Sequence, residues 1–464
     1  MHDYTIVRGR HAALLLITGS LVTSERGVYG YPLALASYSC RTQRAGTLDA
    51  RTFQSAVSGP LAASVSSWES IEKSFGGCFD EPEPLSIDTV LTPDAKPPFS
   101  SERPTLFRER HGWCPYSERV WLALELDNVA HDTIRIDNTR GGRPSYFSGQ
   151  TPQMKWHDTG RIQGESMDLV NEIDKKYYDC SLKSNDKQVQ DLVSQFRNIF
   201  PRARPSSRAA YLFQYNGEPL WKSTFETTLK ETDELLSQSD GPFFAGTELT
   251  VADIAWAPFL ERYRYQLPCL HGESLKPDCA ASFPHLSAWY NAMDHKVPAY
   301  ACRVKGDASS WRKVLSMAGF GNAGMPPQVV SNMDQMIRSA EIQAAEECID
   351  VDLWTEYAAS RPYVASSPGA QAALVITRNR NAIIKDMIKR VPWEKNANLP
   401  DNEKDIDAAL KDLVESLTTQ DNAASDLTTA KAIASFLDDR MCVPRHMGAM
   451  PAATIKLFAA SDSS

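Results

Sequence analysis

The stretch from Thr105 to Glu125 constrains this chain most, because it reads as a short strand, a tight turn and a helix with a cysteine at the joint. Gly112 supplies the turn. Pro115 suits a first helical turn, where its missing N–H has no partner to lose. Val120, Ala123 and Leu124 then recur at helical spacing, with Trp121 and Leu122 beside them. Cys114 falls at the N-terminal end of that helix, where unpaired N–H groups and the positive end of the macrodipole favour a negatively charged sulfur. A thiolate is the attacking group of thiol–disulfide exchange, which makes Cys114 the candidate nucleophile. The plainer reading is a buried, inert cysteine; the register of strand, turn, Cys-Pro and helix start weighs against it.

The segments that follow are ordered. His131 to Asp137 alternates polar and apolar residues and predicts a second strand. A loop with Arg143, Tyr146 and Phe147 leads to Thr151-Pro152, with Pro152 at a strand start, and His157 to Gly160 reads as a hairpin turn. Gly164 to Tyr177 predicts an amphipathic helix with Met167, Val170, Ile173 and Tyr177 on one face and Glu165-Ser166 at its start. About a hundred residues on, Thr250-x-x-Asp253 ahead of an apolar run is a capping box with Asp in its third position, and Leu249 with Ile254 could staple it. Phe283 to Met293 continues the helical pattern.

These motifs, in this order and spacing, resemble the cysteine-type glutathione transferases, above all the omega class and the plant dehydroascorbate reductases. Those proteins carry a Cys-Pro-aromatic-small-x-Arg run, here Cys114 to Arg119. The resemblance implies an α/β plus all-α architecture: a thioredoxin-like domain over 103–183, an all-helical transferase domain over 186–320, and an additional helical extension over 321–464. It implies glutathione as co-substrate and no metal. Arg143 stands where the family has Lys and would meet the glycine carboxylate. The backbone of Thr151 before Pro152 would pair with the cysteinyl part, although the family's residue there is an apolar Val. Glu165 and Ser166 would hold the γ-glutamyl end, and Thr250 and Asp253 would have a structural, capping role. Ser117 replaces the second cysteine of dithiol enzymes, so a monothiol route remains, in which glutathione supplies the second sulfur. The implied activity is a glutathione-dependent thiol transferase or reductase acting on a small oxidised or electrophilic substrate, whose site would be lined around Phe200 to Tyr215 and Trp221. Conjugation, with Tyr116 or Ser117 activating glutathione, fits the cysteine motif less well. The alternative from another class is a transferase-derived scaffold that recruits a protein partner through residues 321–464.

Composition bounds the rest. At 464 residues, two or three domains are expected. A net charge of −9 and the lack of a basic stripe with interleaved aromatics argue against nucleic acid as a partner. None of the nine cysteines forms a Cys-x-x-Cys pair, and the nine histidines show no His-x-x-x-His spacing. A zinc site is therefore not expected, and a reducing compartment is. Residues 1–59 are acid-poor; Arg8 and Arg10 precede an apolar run of signal-peptide length, too short to span a bilayer, and a Ser-, Ala- and Arg-containing stretch follows. They predict a leader to the plastid, with mitochondrial or cytoplasmic location as alternatives, and no transmembrane segment in the mature chain. Residues 60–102 read as a connector with one short amphipathic helix over 66–75, broken by Glu81-Pro-Glu-Pro84 and Lys96-Pro-Pro98. Beyond Gly321 to Pro327 the pattern is helical, with Ile376, Ile383 and Ile388 on an apolar stripe that must be buried, for preference on the helical domain. Cys442 and His446 lack a further ligand nearby and read as structural.

Overall fold

Alternation of side chains along a strand decides which residues of Thr105 to Glu109 face which layer. The computed structural model describes residues 67–80, 84–90, 99–138, 143–200, 222–272, 275–314, 341–391, 398–419 and 427–461. The leader, the Gly321 to Pro327 stretch and residues 201–221 of the expected substrate region lie outside them. Among the described residues five strands, β1 (Ser86–Asp88), β2 (Thr105–Glu109), β3 (Asp132–Ile136), β4 (Gln153–Lys155) and β5 (Ile162–Gln163), form one sheet in the order β1-β3-β2-β4-β5. β3 runs parallel to β2 and β1, whereas β4 is antiparallel to β2 and β5. Phe107 pairs in register with Ile134, and both pack with Ile136 and Phe147 on one face. Leu106 pairs with Met154, and both pack with Val120 and Leu169 on the other.

Two short helices, α1 (Trp68–Ser74) and α2 (Gly77–Asp80), precede the sheet. α3 (Pro115–Glu125) makes the crossover from β2 to β3, and α4 (Ser166–Tyr177) follows the β4–β5 hairpin. The right place for a parallel connection is a helix on the sheet face, and β2-α3-β3 followed by β4-β5-α4 is the thioredoxin-like arrangement. The helical layer that follows comprises α5 (Lys187–Ile199), α6 (Lys222–Ser237), α7 (Val251–His271), α8 (Pro284–Lys296), a π-helical turn at Tyr300–Val304 and α9 (Ala308–Val314). α7 is the central helix: from Val251 to Tyr263 every residue is buried. Its start is the expected capping box. Asp253 accepts from the Thr250 N–H at 2.9 Å and the Thr250 hydroxyl at 3.1 Å, and its second oxygen accepts from the Phe244 N–H at 3.1 Å and Trp289 Nε1 at 3.0 Å. Four donors satisfy a carboxylate that has no access to water.

The C-terminal helices are α10 (Val351–Ala359), α11 (Pro368–Arg390), α12 (Glu403–Thr419), α13 (Thr428–Arg440) and α14 (Ala449–Ala460). They have a core of their own, in which Ile376, Ile384, Met387, Leu410, Leu413, Ile433 and Ile455 are buried together. Ile383 is half-buried against it and Ile388 is exposed. The stripe thus closes mainly on the extension itself. Docking on the rest of the molecule is real as well. Ala301 and Cys302 pack with Leu353, Trp354, Tyr357 and Met450. The Arg361 guanidinium donates to the Glu125 carbonyl and sits 3.7 Å from its carboxylate. Gly448 comes so close to the Cys302 carbonyl that any Cβ would overlap it.

The segment over 60–102 contributes to both ends of the molecule. α1 forms where the sequence predicts it, with Ser67 as N-cap. Its Ile71 and Phe75 are buried in the core of the C-terminal helices, and Trp68 Nε1 donates to Asp407 at 2.7 Å. β1, which the sequence analysis does not anticipate, adds a strand to the sheet edge; three residues ahead of a loop carry too little pattern to be recognised. Ile71→Ala should therefore lower the stability of the full chain by about 2–5 kcal/mol in denaturant melts. A loss within about 0.5 kcal/mol, the surface range, would remove α1 from that core.

Candidate active site

Cys114 occupies the N-cap position of α3 in extended backbone conformation (φ −75°, ψ 113°), with Pro115 as the first helical residue. Its carbonyl accepts from the Glu118 N–H at 3.1 Å, and its side chain makes no capping hydrogen bond, which leaves the sulfur free of the helix end. The thiol lies 3.8 Å from the Thr151 carbonyl. The Thr151-Pro152 peptide is cis and leads directly into β4. Arg143 is exposed; it donates to the Gly149 carbonyl at 2.7 Å and to Asn138 Oδ1 at 2.9 Å, and Asn138 in turn donates to the Thr151 hydroxyl at 3.1 Å. The structure thus brings Cys114, Thr151, Pro152 and Arg143 into one connected group.

Glu165 and Ser166 begin α4 as expected. Glu165 is exposed and has φ +63°, a left-handed conformation that a residue with a Cβ rarely adopts. Such local strain concentrates at functional positions. Ser166 is buried and accepts from the Arg119 guanidinium at 3.4 Å. Arg119 ties α4 to the Cys114 helix and to the helical layer at once. It is buried, with the rings of Phe196 and Phe259 4.7 and 4.9 Å away, and donates twice to the Ala255 carbonyl, at 2.8 and 2.6 Å. Burial lowers its pKa to about 10, which keeps it cationic at neutral pH. Thr250 and Asp253 cap α7.

Three residues that shape the site are not evident from its motif. Glu109, at the end of β2, accepts from the N–H groups of His111 and Trp113, both at 2.8 Å, and so sets the turn that presents Cys114. Arg262 of α7 donates to the Trp113 carbonyl at 2.9 Å and pairs with Glu118 at 2.8 Å, both charges being almost fully buried. Asn138 connects Arg143 to Thr151. A carboxylate at a strand end two and four residues before the N–H groups of a turn is a readable signal for Glu109; nothing near residue 262 announces a partner 149 residues earlier. Gly112 has φ +80°, and a Cβ there would come within 3.2 Å of Pro444 Cγ, so the C-terminal extension sits directly on this turn.

Residues 194–292 match the glutathione S-transferase C-terminal domain family. Over about two fifths of its length, including Cys114 and the capping box, the chain is similar to glutathione S-transferases. Glutathione S-transferase L3 of Arabidopsis thaliana is 28% identical over 190 residues, which is 38% of this chain and 72% of that relative. Arabidopsis glutathione S-transferase L2, chloroplastic, is 26% identical over 197 residues, 40% of this chain and 62% of that relative. The probable glutathione S-transferase DHAR4 of the same plant is 27% identical over 154 residues, 32% and 67% of the two chains. These similarities make the chain a glutathione transferase-like enzyme, with a cysteine at the start of α3. No helix among the described residues is long and apolar enough to cross a membrane.

The turn ahead of Cys114 carries a titratable group. His111 stacks on Trp113 at 4.4 Å, and its Nδ1 lies 2.8 Å from the Arg445 guanidinium. Burial first, then the charges of Arg445 and Arg110, push its pKa from 6.5 down to about 4. An imidazole kept neutral by the fold stabilises fully above the unfolded value, and this contribution is lost as pH falls from about 6.5 towards 4, because the unfolded chain takes up the proton first. Melting temperatures between pH 7.5 and 4.5 should fall less steeply for His111→Gln than for the unsubstituted protein. Parallel curves would show that His111 does not titrate against Arg445.

Proposed function

We propose that this enzyme is a glutathione-dependent thiol transferase or reductase that works through the single nucleophile Cys114. The observation that carries the reading is the position of its sulfur, at a helix N-terminus without a capping bond, 3.8 Å from the backbone carbonyl ahead of Pro152, with Ser117 in place of a second cysteine. The Cys114 thiolate attacks the sulfur of a glutathione mixed disulfide, the substrate leaves as its thiolate and takes a proton, and a Cys114–glutathione disulfide forms. A second glutathione thiolate attacks that bond, which releases glutathione disulfide and restores the Cys114 thiolate. Electrons balance: the substrate sulfur of the mixed disulfide is reduced to a thiol, and the one glutathione thiol that enters is oxidised into glutathione disulfide.

In this reading Arg143 pairs with the glycine carboxylate, the Thr151 backbone with the cysteinyl unit, Glu165 with the γ-glutamyl ammonium, and Ser166 with the N–H groups of α4 receives the γ-glutamyl carboxylate. The strained backbone of Glu165 supports a role beyond starting a helix. The chloroplastic relative supports a plastid location, in line with the acid-poor leader. The C-terminal extension bears on the alternative scaffold reading. Among the described residues it hydrogen-bonds the turn at His111 and makes no hydrogen bond to Cys114 or Thr151, which supports an enzyme rather than a site plugged by its own chain.

Cys114→Ser should abolish glutathione-dependent reduction of a mixed disulfide, while Ser117→Ala keeps it; retained activity in Cys114→Ser would end the proposal. Glu165→Ala should weaken glutathione binding by roughly 10- to 100-fold, the effect of losing a charged hydrogen-bond partner worth about 1.5–3 kcal/mol. Unchanged affinity in calorimetry would leave Glu165 as a helix-start residue only.

A further inference from the structure

The extension closes over one face of the sheet, and the residues that meet there are mostly cations. Asp88, Arg135 and Arg108 stand side by side across β1, β3 and β2. Arg110 and His111 follow on the turn. Arg303 comes from the π-helical turn, and Arg445 and His446 come from the segment between α13 and α14. Arg108 and Arg303 lie over the Trp121 ring at 4.4 and 4.7 Å. The Arg303 guanidinium donates to the Pro444 carbonyl at 2.8 Å, and Pro444 touches the Gly112 turn.

The charges do not balance. Asp88 and Asp137 both receive Arg110, at 3.0 and 3.8 Å, and Glu109 receives the turn N–H groups. No carboxylate among the described residues lies within 4 Å of Arg108, Arg135, Arg303 or Arg445. The Nε of Arg108, a side chain only 2% exposed, is enclosed without a hydrogen-bond partner, and so is the Nε of Arg135. Arg445 spends its donors on His111 Nδ1 and His446 Nε2, neutral acceptors where a carboxylate would be expected. Burial, then the charges of Arg135 and Arg303, lower the pKa of Arg108 to about 9; burial also lowers that of Arg135, with Asp88 opposing it and Arg445, Arg303 and Arg110 adding to it. Enclosed cations that repel one another are costly unless a counter-charge joins them.

We propose that this seam is a binding site for a phosphate-type oxyanion, held by Arg135, Arg303 and Arg445 with Arg108 behind them. Guanidinium groups converging from four separate elements suit a compact ion with several acceptor oxygens, because their N–H groups not already given to His111, His446 and backbone carbonyls lie in planes that can meet them. An extended polyanion fits poorly: these cations are partly enclosed and do not form a stripe, and the chain as a whole carries −9. The ion would be either free phosphate or the phosphate of a monoester. Because Arg445 also holds His111, occupancy would brace the turn that carries Cys114 from behind, on a site separate from the one proposed for glutathione.

The test is calorimetry and thermal melting of the full chain with inorganic phosphate, with adenosine monophosphate, and with sodium chloride at matched ionic strength. Phosphate or the monoester should raise the melting temperature by a few degrees beyond chloride, as expected for a ligand in large excess over its Kd. The stronger of the two identifies the source. Arg135→Ala and Arg445→Gln should each weaken that binding at least about tenfold, and Arg135→Lys should keep part of it. In chloride alone, Arg135→Ala should melt no lower than the unsubstituted protein, since it relieves repulsion. The proposal is overturned if neither anion exceeds chloride, if both Arg135→Ala and Arg445→Gln respond like the unsubstituted protein, or if Arg135→Ala melts lower in chloride, which would assign the cation to the fold.

Discussion

Two buried guanidinium groups decide where the Cys114 helix sits. Arg119 leaves α3 and ends on the Ala255 carbonyl, while Arg262 leaves α7 and ends on Glu118 and the Trp113 carbonyl. Each layer thus sends one cation into the other. Neither group has water to fall back on, and removing one partner of such a buried pair is strongly destabilising because the other charge is left exposed to a low-dielectric interior. Glu261 adjoins this pair. Burial first, and then the charge of Glu118, push its carboxyl up from the ordinary range, and it accepts from Trp311 Nε1 at 2.6 Å and the Gly306 N–H at 2.7 Å. The position of Cys114 is therefore set in part from the helical layer.

The parts of this architecture that sequence reveals are those whose chemistry is local. A strand followed by Gly112, Cys114 and Pro115 must turn and start a helix within ten residues, and Thr250 with Asp253 must cap whatever apolar helix follows. The parts that stay hidden depend on partners far along the chain. Arg262 reads as an ordinary helical arginine until Trp113 is placed beside it. β1 has too few residues for periodicity to emerge. The C-terminal extension shows its helices clearly, yet its stripe does not say whether Ile376 faces a sister helix or another domain, because apolar spacing reports that a face is buried and not against what. Here both answers hold, with a private apolar core and a largely polar seam.

That seam sorts two kinds of cohesion. The apolar cluster of the extension, completed by α1, resembles a domain core, whereas its attachment to the sheet relies on guanidiniums, imidazoles and backbone carbonyls. Polar seams of this sort resemble interfaces between domains, which permit relative motion more readily than apolar ones. The turn at His111 and Gly112 lies at that seam, so the contact at the base of the Cys114 loop is a polar one.

The burial of α1 among helices more than three hundred residues later has a consequence for biogenesis. Trp68 and its acceptor Asp407 are 339 residues apart. At ribosomal speeds of about 5–20 residues per second, roughly 20 to 70 seconds pass between the synthesis of the two. For that interval the transferase part can fold, while the apolar face of α1 has no lasting partner. A nascent chain of this design offers a holdase a defined early target, and α1 gains its partners only when the helices from Pro368 onward emerge.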